Sequence, residues 1–155
     1  DDWDRRLLTA ILISSGIVLF YINQKKFIFT NDKMMEFFNY ENVANIDLNK
    51  KDDLDQTFYL LSKNMFSGLK EGVSLLYVGN INNEILDEIK SVFQKYFPNL
   101  KINLTNSFRE ALLLPNIILL SALGITTEED AYFCNKKLKL NINSVDGLII
   151  LNSCK

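Results

Sequence analysis

The chain has 155 residues, 48% of them apolar, and carries 17 basic against 19 acidic side chains for a net charge of -2. That is enough for one ordinary domain or two small ones with a real core, and it excludes the global polycation that nucleic-acid binding draws on. Histidine is absent, which removes the commonest general base and metal ligand, and with it Ser-His-Asp and Cys-His catalysis.

The first stretch, 1–14, has a helical pattern. Asp2 or Asp4 can cap it, and Leu7, Leu8, Ile11 and Leu12 make an apolar face. Ser14-Ser15-Gly16 is expected to break it, and 16–22, rich in β-branched and aromatic side chains, to form a strand. After the polar turn 23–26, Phe27 to Thr30 is expected to complete a hairpin. Leu7 to Ile22 is free of charge, with Arg5-Arg6 before it and Lys25-Lys26 after. It falls short of the roughly 20 apolar residues of a membrane span and contains Thr9, Ser14, Ser15 and Gly16, so a helix running into a buried strand is the expected reading. No clean small-x-small cleavage site follows it.

Asn31 or Asp32 then caps a short helix carrying Met34, Met35, Phe37 and Phe38. Asp52 or Asp53 caps another, with Leu54, Phe58, Leu61 and Met65 as its buried stripe. Ser67 to Gly72 reads as a boundary. Val73 to Val78 is an apolar run, followed by polar Gly79 to Asn83 and a helix with Ile85, Leu86, Ile89, Val92, Phe93, Tyr96 and Phe97 on one stripe, stopped by Pro98. Lys101 to Leu104 is a short strand. Ser107 and Glu110 suggest a capping box for a helix reaching Leu114, and Ile117 to Leu120 is a second apolar run. Thr126-Thr127-Glu128-Glu129 starts a helix to about Lys137, and Leu148 to Leu151 is a last buried strand. Strand alternating with helix from Val73 onward signals a parallel sheet covered on both faces.

Two stretches resemble known families. GIVLFYINQKKFIFTNDKMMEFFNYEN, with Asn31 and Phe37-Phe38-Asn39-Tyr40, resembles the opening of a PAS domain, which implies a small α+β sensor part over residues 1–70. Leu75-Leu76-Tyr77-Val78, Asn106 to Ala111 and Pro115 to Leu120 resemble the strands and helix start of a response-regulator receiver, which implies a flavodoxin-like α/β part over 71–155. The receiver's acidic pair falls on Gly79 and Asn80, and its phosphoacceptor position on Ser121. These supply none of the carboxylate oxygens that a magnesium-dependent phosphoryl transfer needs. The receiver's fifth strand and its lysine are missing after Leu151.

The resemblance therefore implies a degenerate receiver: a non-catalytic signalling or regulatory module of a bacterial two-component-type sensory protein, acting through protein contacts. The alternative is a small enzyme or nucleotide- or phosphate-binding domain using the Gly79-Asn80 loop. No cofactor and no metal is expected. Asp52, Asp53, Asp55 and Glu128, Glu129, Asp130 read as helix-start acids. Cys134 and Cys154 read as reduced, buried thiols of a cytoplasmic protein. The expected partner is another protein or a second copy, docking on Trp3, Leu7, Leu8, Ile11 and Leu12 of the first helix. Nucleic acid and membrane are not expected partners.

Overall fold

The computed structural model describes residues 2–23, 25–141 and 144–154; the side chains of 19–23 lie outside the described set. In chain order the elements are α1 (Asp2–Asn23), α2 (Asn31–Phe37), β1 (Val43–Asp47), α3 (Asp53–Lys63), β2 (Gly72–Tyr77), α4 (Asn83–Tyr96), β3 (Lys101–Thr105), α5 (Phe108–Ala111), β4 (Asn116–Ala122), α6 (Glu128–Leu138) and β5 (Gly147–Asn152).

The five strands form one sheet in the order β1-β5-β4-β2-β3, and every pairing is parallel. A parallel sheet needs cover on both faces, because its crossovers carry helices and its strands read apolar on both sides. Alternation along each strand divides the side chains between two cores. Leu75, Ile118, Leu120, Ile149 and Leu151 point to α3 and α4, meeting Phe58, Leu61, Ile89 and Phe93. Leu76, Ile117, Leu119, Leu148 and Ile150 point the other way, toward Met34, Phe38, Ala111, Ala131 and Leu138 of α2, α5 and α6.

Counted from β2, the spatial order is that of the flavodoxin-like sheet, 2-1-3-4-5. The position of the last strand is filled by β1, which pairs with β5 from Val43↔Leu148 to Asp47↔Asn152. The strand expected to be missing after Leu151 is thus supplied from the amino-terminal side. This also corrects the PAS-like expectation. No separate α+β part is present among the described residues, since the one strand before residue 70 belongs to the common sheet.

The expected hairpin is absent too. The backbone of 16–23 continues α1, and Phe27 makes only an isolated bridge to Thr127. Ile28 spends its backbone groups on the loop after β4, donating to the Thr126 carbonyl at 3.0 Å and accepting from Gly124 N–H at 2.7 Å. A strand at 16–22 would have had no neighbour for its amides. A helix satisfies them internally, at a cost of about 1 kcal/mol for Gly16.

Most helix starts follow the sequence in place but differ in the capping atom. Thr30, not Asn31 or Asp32, caps α2 by accepting from Lys33 N–H. Asp52 precedes α3 with φ of 66° and makes no side-chain cap; Asp53 instead accepts from the Asp47 amide. The Ser107–Glu110 capping box does not form: Glu110 accepts from Thr105 Oγ1, which itself accepts from Ser107 N–H. The short α5 ends at Ala111 instead of reaching Leu114. Thr127 caps α6 through Asp130 N–H, as the Thr-Thr-Glu-Glu pattern suggested.

Candidate functional site

In an open parallel sheet, ligands bind outside the carboxyl ends of the strands, where consecutive connections leave in opposite directions. Here that point lies between β2 and β4. From β2 the chain passes through α4 to β3 on one side; from β3 it crosses back to β4 on the other. The loops at the switch are 78–82 and 123–127.

The chain fills this crevice with its own Thr126, which is fully buried. Its hydroxyl donates to the Val78 carbonyl at 2.7 Å and accepts from the Ala122 amide at 3.0 Å, bridging the ends of both strands. Gly79 lies directly against it. Its φ is +102°, and a Cβ there would stand 3.0 Å from Thr126 Cα. Glycine is required twice over, by the backbone angle and by the close approach.

The three receiver-type positions are not gathered into one open site. Asn80 is exposed on the loop and Gly79 is half-buried beneath it. Ser121 is fully buried within β4, its hydroxyl 3.4 Å from the Ile149 carbonyl in β5. Sequence reasoning named all three positions but missed Thr126. The available signal was the doubled threonine after Gly124: one caps α6, which leaves the other for a separate role.

Beside the plugged crevice, on the α5 and α6 side, is a cleft of ≈ 480 Å³ lined by residues 76–81, Asn83, Asn106, Phe108, Asp130, Phe133 and Cys134. Among the described residues no lysine or arginine lines it, and its one carboxylate is Asp130. Lys137 sits over the outer Phe108 ring, 5.3 Å from the centroid. The amino end of α4 is partly spoken for: Asn82 Oδ1 accepts from Glu84 N–H at 2.9 Å, and Glu84 adds negative charge to the first turn. An anion would meet acid rather than base here.

Burial pushes the Cys134 thiol up to about 12, and the charge of Asp130 adds to this. A thiol held so high is protonated at neutral pH and is a poor nucleophile. Burial likewise raises Cys154 to about 11. Both are unpaired and buried. Both should resist alkylation by iodoacetamide at pH 8 until denaturant unfolds the chain; rapid labelling of the native protein would contradict their burial. The pH dependence has a definite sign. Thiols raised by folding bind their protons more tightly in the native state, so their contribution is complete below about 9. It is lost as pH rises toward 11–12.

The acidic clusters are dispersed. Asp55 accepts from Lys95 Nζ at 2.8 Å and from the Tyr96 hydroxyl at 2.6 Å, and those bonds hold its carboxyl below its ordinary range. Glu128 pairs with Lys33. Among the described residues no group of three or more His, Cys, Asp or Glu is placed to hold a metal ion. Trp3, Leu7, Leu8, Ile11 and Leu12 all lie exposed on α1.

In comparisons with known proteins, no family model, no curated protein and no solved structure matches the chain. The likeness to the flavodoxin-like and receiver fold rests on the sheet itself.

Proposed function

We propose that the chain is a non-catalytic signalling or regulatory module of a bacterial two-component-type sensory protein, acting through protein–protein contacts without aspartyl phosphorylation. The reading rests above all on the plugged switch point. A receiver needs an open, carboxylate-lined crevice there, to hold magnesium and orient a phosphoryl donor. Here Thr126 bridges Val78 and Ala122, and the corresponding positions carry Gly79, Asn80 and Ser121. In the neighbouring cleft the Cys134 thiol lies near Asp130, but burial holds it protonated and a poor nucleophile. Two unpaired thiols fit a reducing cytoplasm.

Incubation with acetyl phosphate and magnesium should leave the intact mass unchanged. Stoichiometric uptake of one phosphate would overturn the proposal. The Gly79-Asn80 loop beside the cleft keeps one alternative worth the same experiment, a nucleotide- or phosphate-binding domain. Titration with nucleotides should give no saturable signal. Saturable binding that Asn80→Asp or Gly79→Val alters would favour the alternative.

A further inference from the structure

We propose that α1 embeds in the hydrocarbon of a lipid bilayer and tethers the α/β body to the membrane surface. The helix is continuous from Asp2 to Asn23, 22 residues. Every described side chain along it is exposed, and none belongs to either core. Leu8, Leu12, Ile13 and Ile17 are 60%, 64%, 59% and 59% exposed. At about 100° per residue these positions point to different sides of the helix. No charged residue falls between Arg6 and Lys25. Between Leu7 and Val18 the helix therefore has no charged face to turn toward water.

That pattern decides between occupants. A second copy packing along a coiled-coil seam covers one stripe and leaves the opposite side wet. A helix apolar all round is satisfied only by surroundings that enclose it, a large protein core or lipid. No described side chain of α1 enters the body's two cores. The uncharged part of α1, residues 7–23, spans about 26 Å at 1.5 Å per residue, a little under the roughly 30 Å of hydrocarbon. The ends match lipid. Arg5, Arg6, Lys25 and Lys26 flank the run, with Trp3 and Tyr21 near its two limits, the residue types that favour the headgroup region. Thr9 hides its hydroxyl inside the helix by donating to the Arg5 carbonyl at 2.9 Å, as an apolar medium requires.

Among the described residues no helix is long and apolar enough to cross a membrane. The apolar run continues in the sequence through Leu19, Phe20, Tyr21 and Ile22, whose side chains lie outside that set. The apolar run Leu7 to Ile22 is short of the roughly 20 residues of a full span and holds Thr9, Ser14, Ser15 and Gly16, but the helix runs through them without a break.

The test is flotation of the full chain with neutral phosphatidylcholine vesicles, which excludes simple charge attraction. The wild-type chain should float with the vesicles and remain bound through 1 M salt and an alkaline carbonate wash. Leu12→Lys combined with Ile13→Lys should weaken vesicle partition by on the order of 100-fold or more. The thermal melt of the body should stay unchanged, because neither side chain packs on it. Ile13→Leu should float like wild type. Release by carbonate would mean surface adsorption and overturn the proposal. So would a soluble, detergent-free dimer that ignores vesicles, which would instead make α1 a contact between two copies.

Discussion

Phe58→Ala is expected to cost about 3–5 kcal/mol of folding stability, the range for deleting a buried aromatic ring. Phe58 is fully buried on α3, and its ring meets that of Phe93 on α4 with centroids 5.1 Å apart at a 58° tilt. Phe93 in turn meets Phe97 at 4.8 Å. The ring therefore joins two helices to each other and to the sheet face formed by Leu75, Ile118 and Leu120. The same helices share the Asp55–Lys95–Tyr96 cluster, but the Lys95 side chain is 61% exposed, and a solvated ion pair of that kind contributes little. Removing the ring should dominate and removing the lysine should barely register. Urea melts of Phe58→Ala and Lys95→Ala measure both. A loss below about 1 kcal/mol for the phenylalanine would place the stripe on a surface rather than in the core.

The sheet was legible from Val73 onward because its strands announce themselves. Val73 to Val78, Ser74 apart, and Ile117 to Leu120 are apolar without alternation, as strands buried on both faces must be. The helix between them carries a stripe at 3.6-residue spacing whose Leu86, Ile89 and Phe93 are buried as that spacing predicts. What could not be read was which strand lies at the far edge. Val43–Asp47 is a short VANID segment with the burial pattern of an edge strand. Nothing local in those five residues says that they pair with Leu148–Asn152, about a hundred positions later. Pairing at that separation is a property of the finished sheet, so the early segments looked like the start of a different fold.

The amino-terminal helix was misread for a related reason. Ile17, Val18 and Ile22 are β-branched and Phe20 and Tyr21 aromatic, and β propensity describes a fit to a pleated, half-buried surface rather than a backbone preference. With no strand alongside, the propensity has nothing to act on. The site fared similarly. Gly79, Asn80 and Ser121 were identifiable by their place after apolar runs, but the residue that closes the crevice makes one of its two hydroxyl bonds across 48 positions of sequence.

Thr126→Val is expected to cost about 2–3 kcal/mol, although the substitution changes the side-chain volume hardly at all. The hydroxyl is the shared partner of two backbone groups at the switch point. It donates to the Val78 carbonyl and accepts from the Ala122 amide, and Thr126 itself is fully buried. Replacing it by a methyl leaves a buried donor and a buried acceptor without that partner, and each such group costs roughly 1–3 kcal/mol. Packing barely enters, so a loss near zero would mean that water reaches the crevice and takes over both bonds. Thr126→Ser keeps the hydroxyl and should recover most of the stability, which separates the hydrogen bonds from the loss of a methyl group. The pair also bears on function. If the crevice is closed for a structural reason, Thr126→Ser should retain whatever partner binding the wild-type chain has. Thr126→Val should lose binding only as far as it loses folded protein, measured by urea titration of both variants beside the wild type.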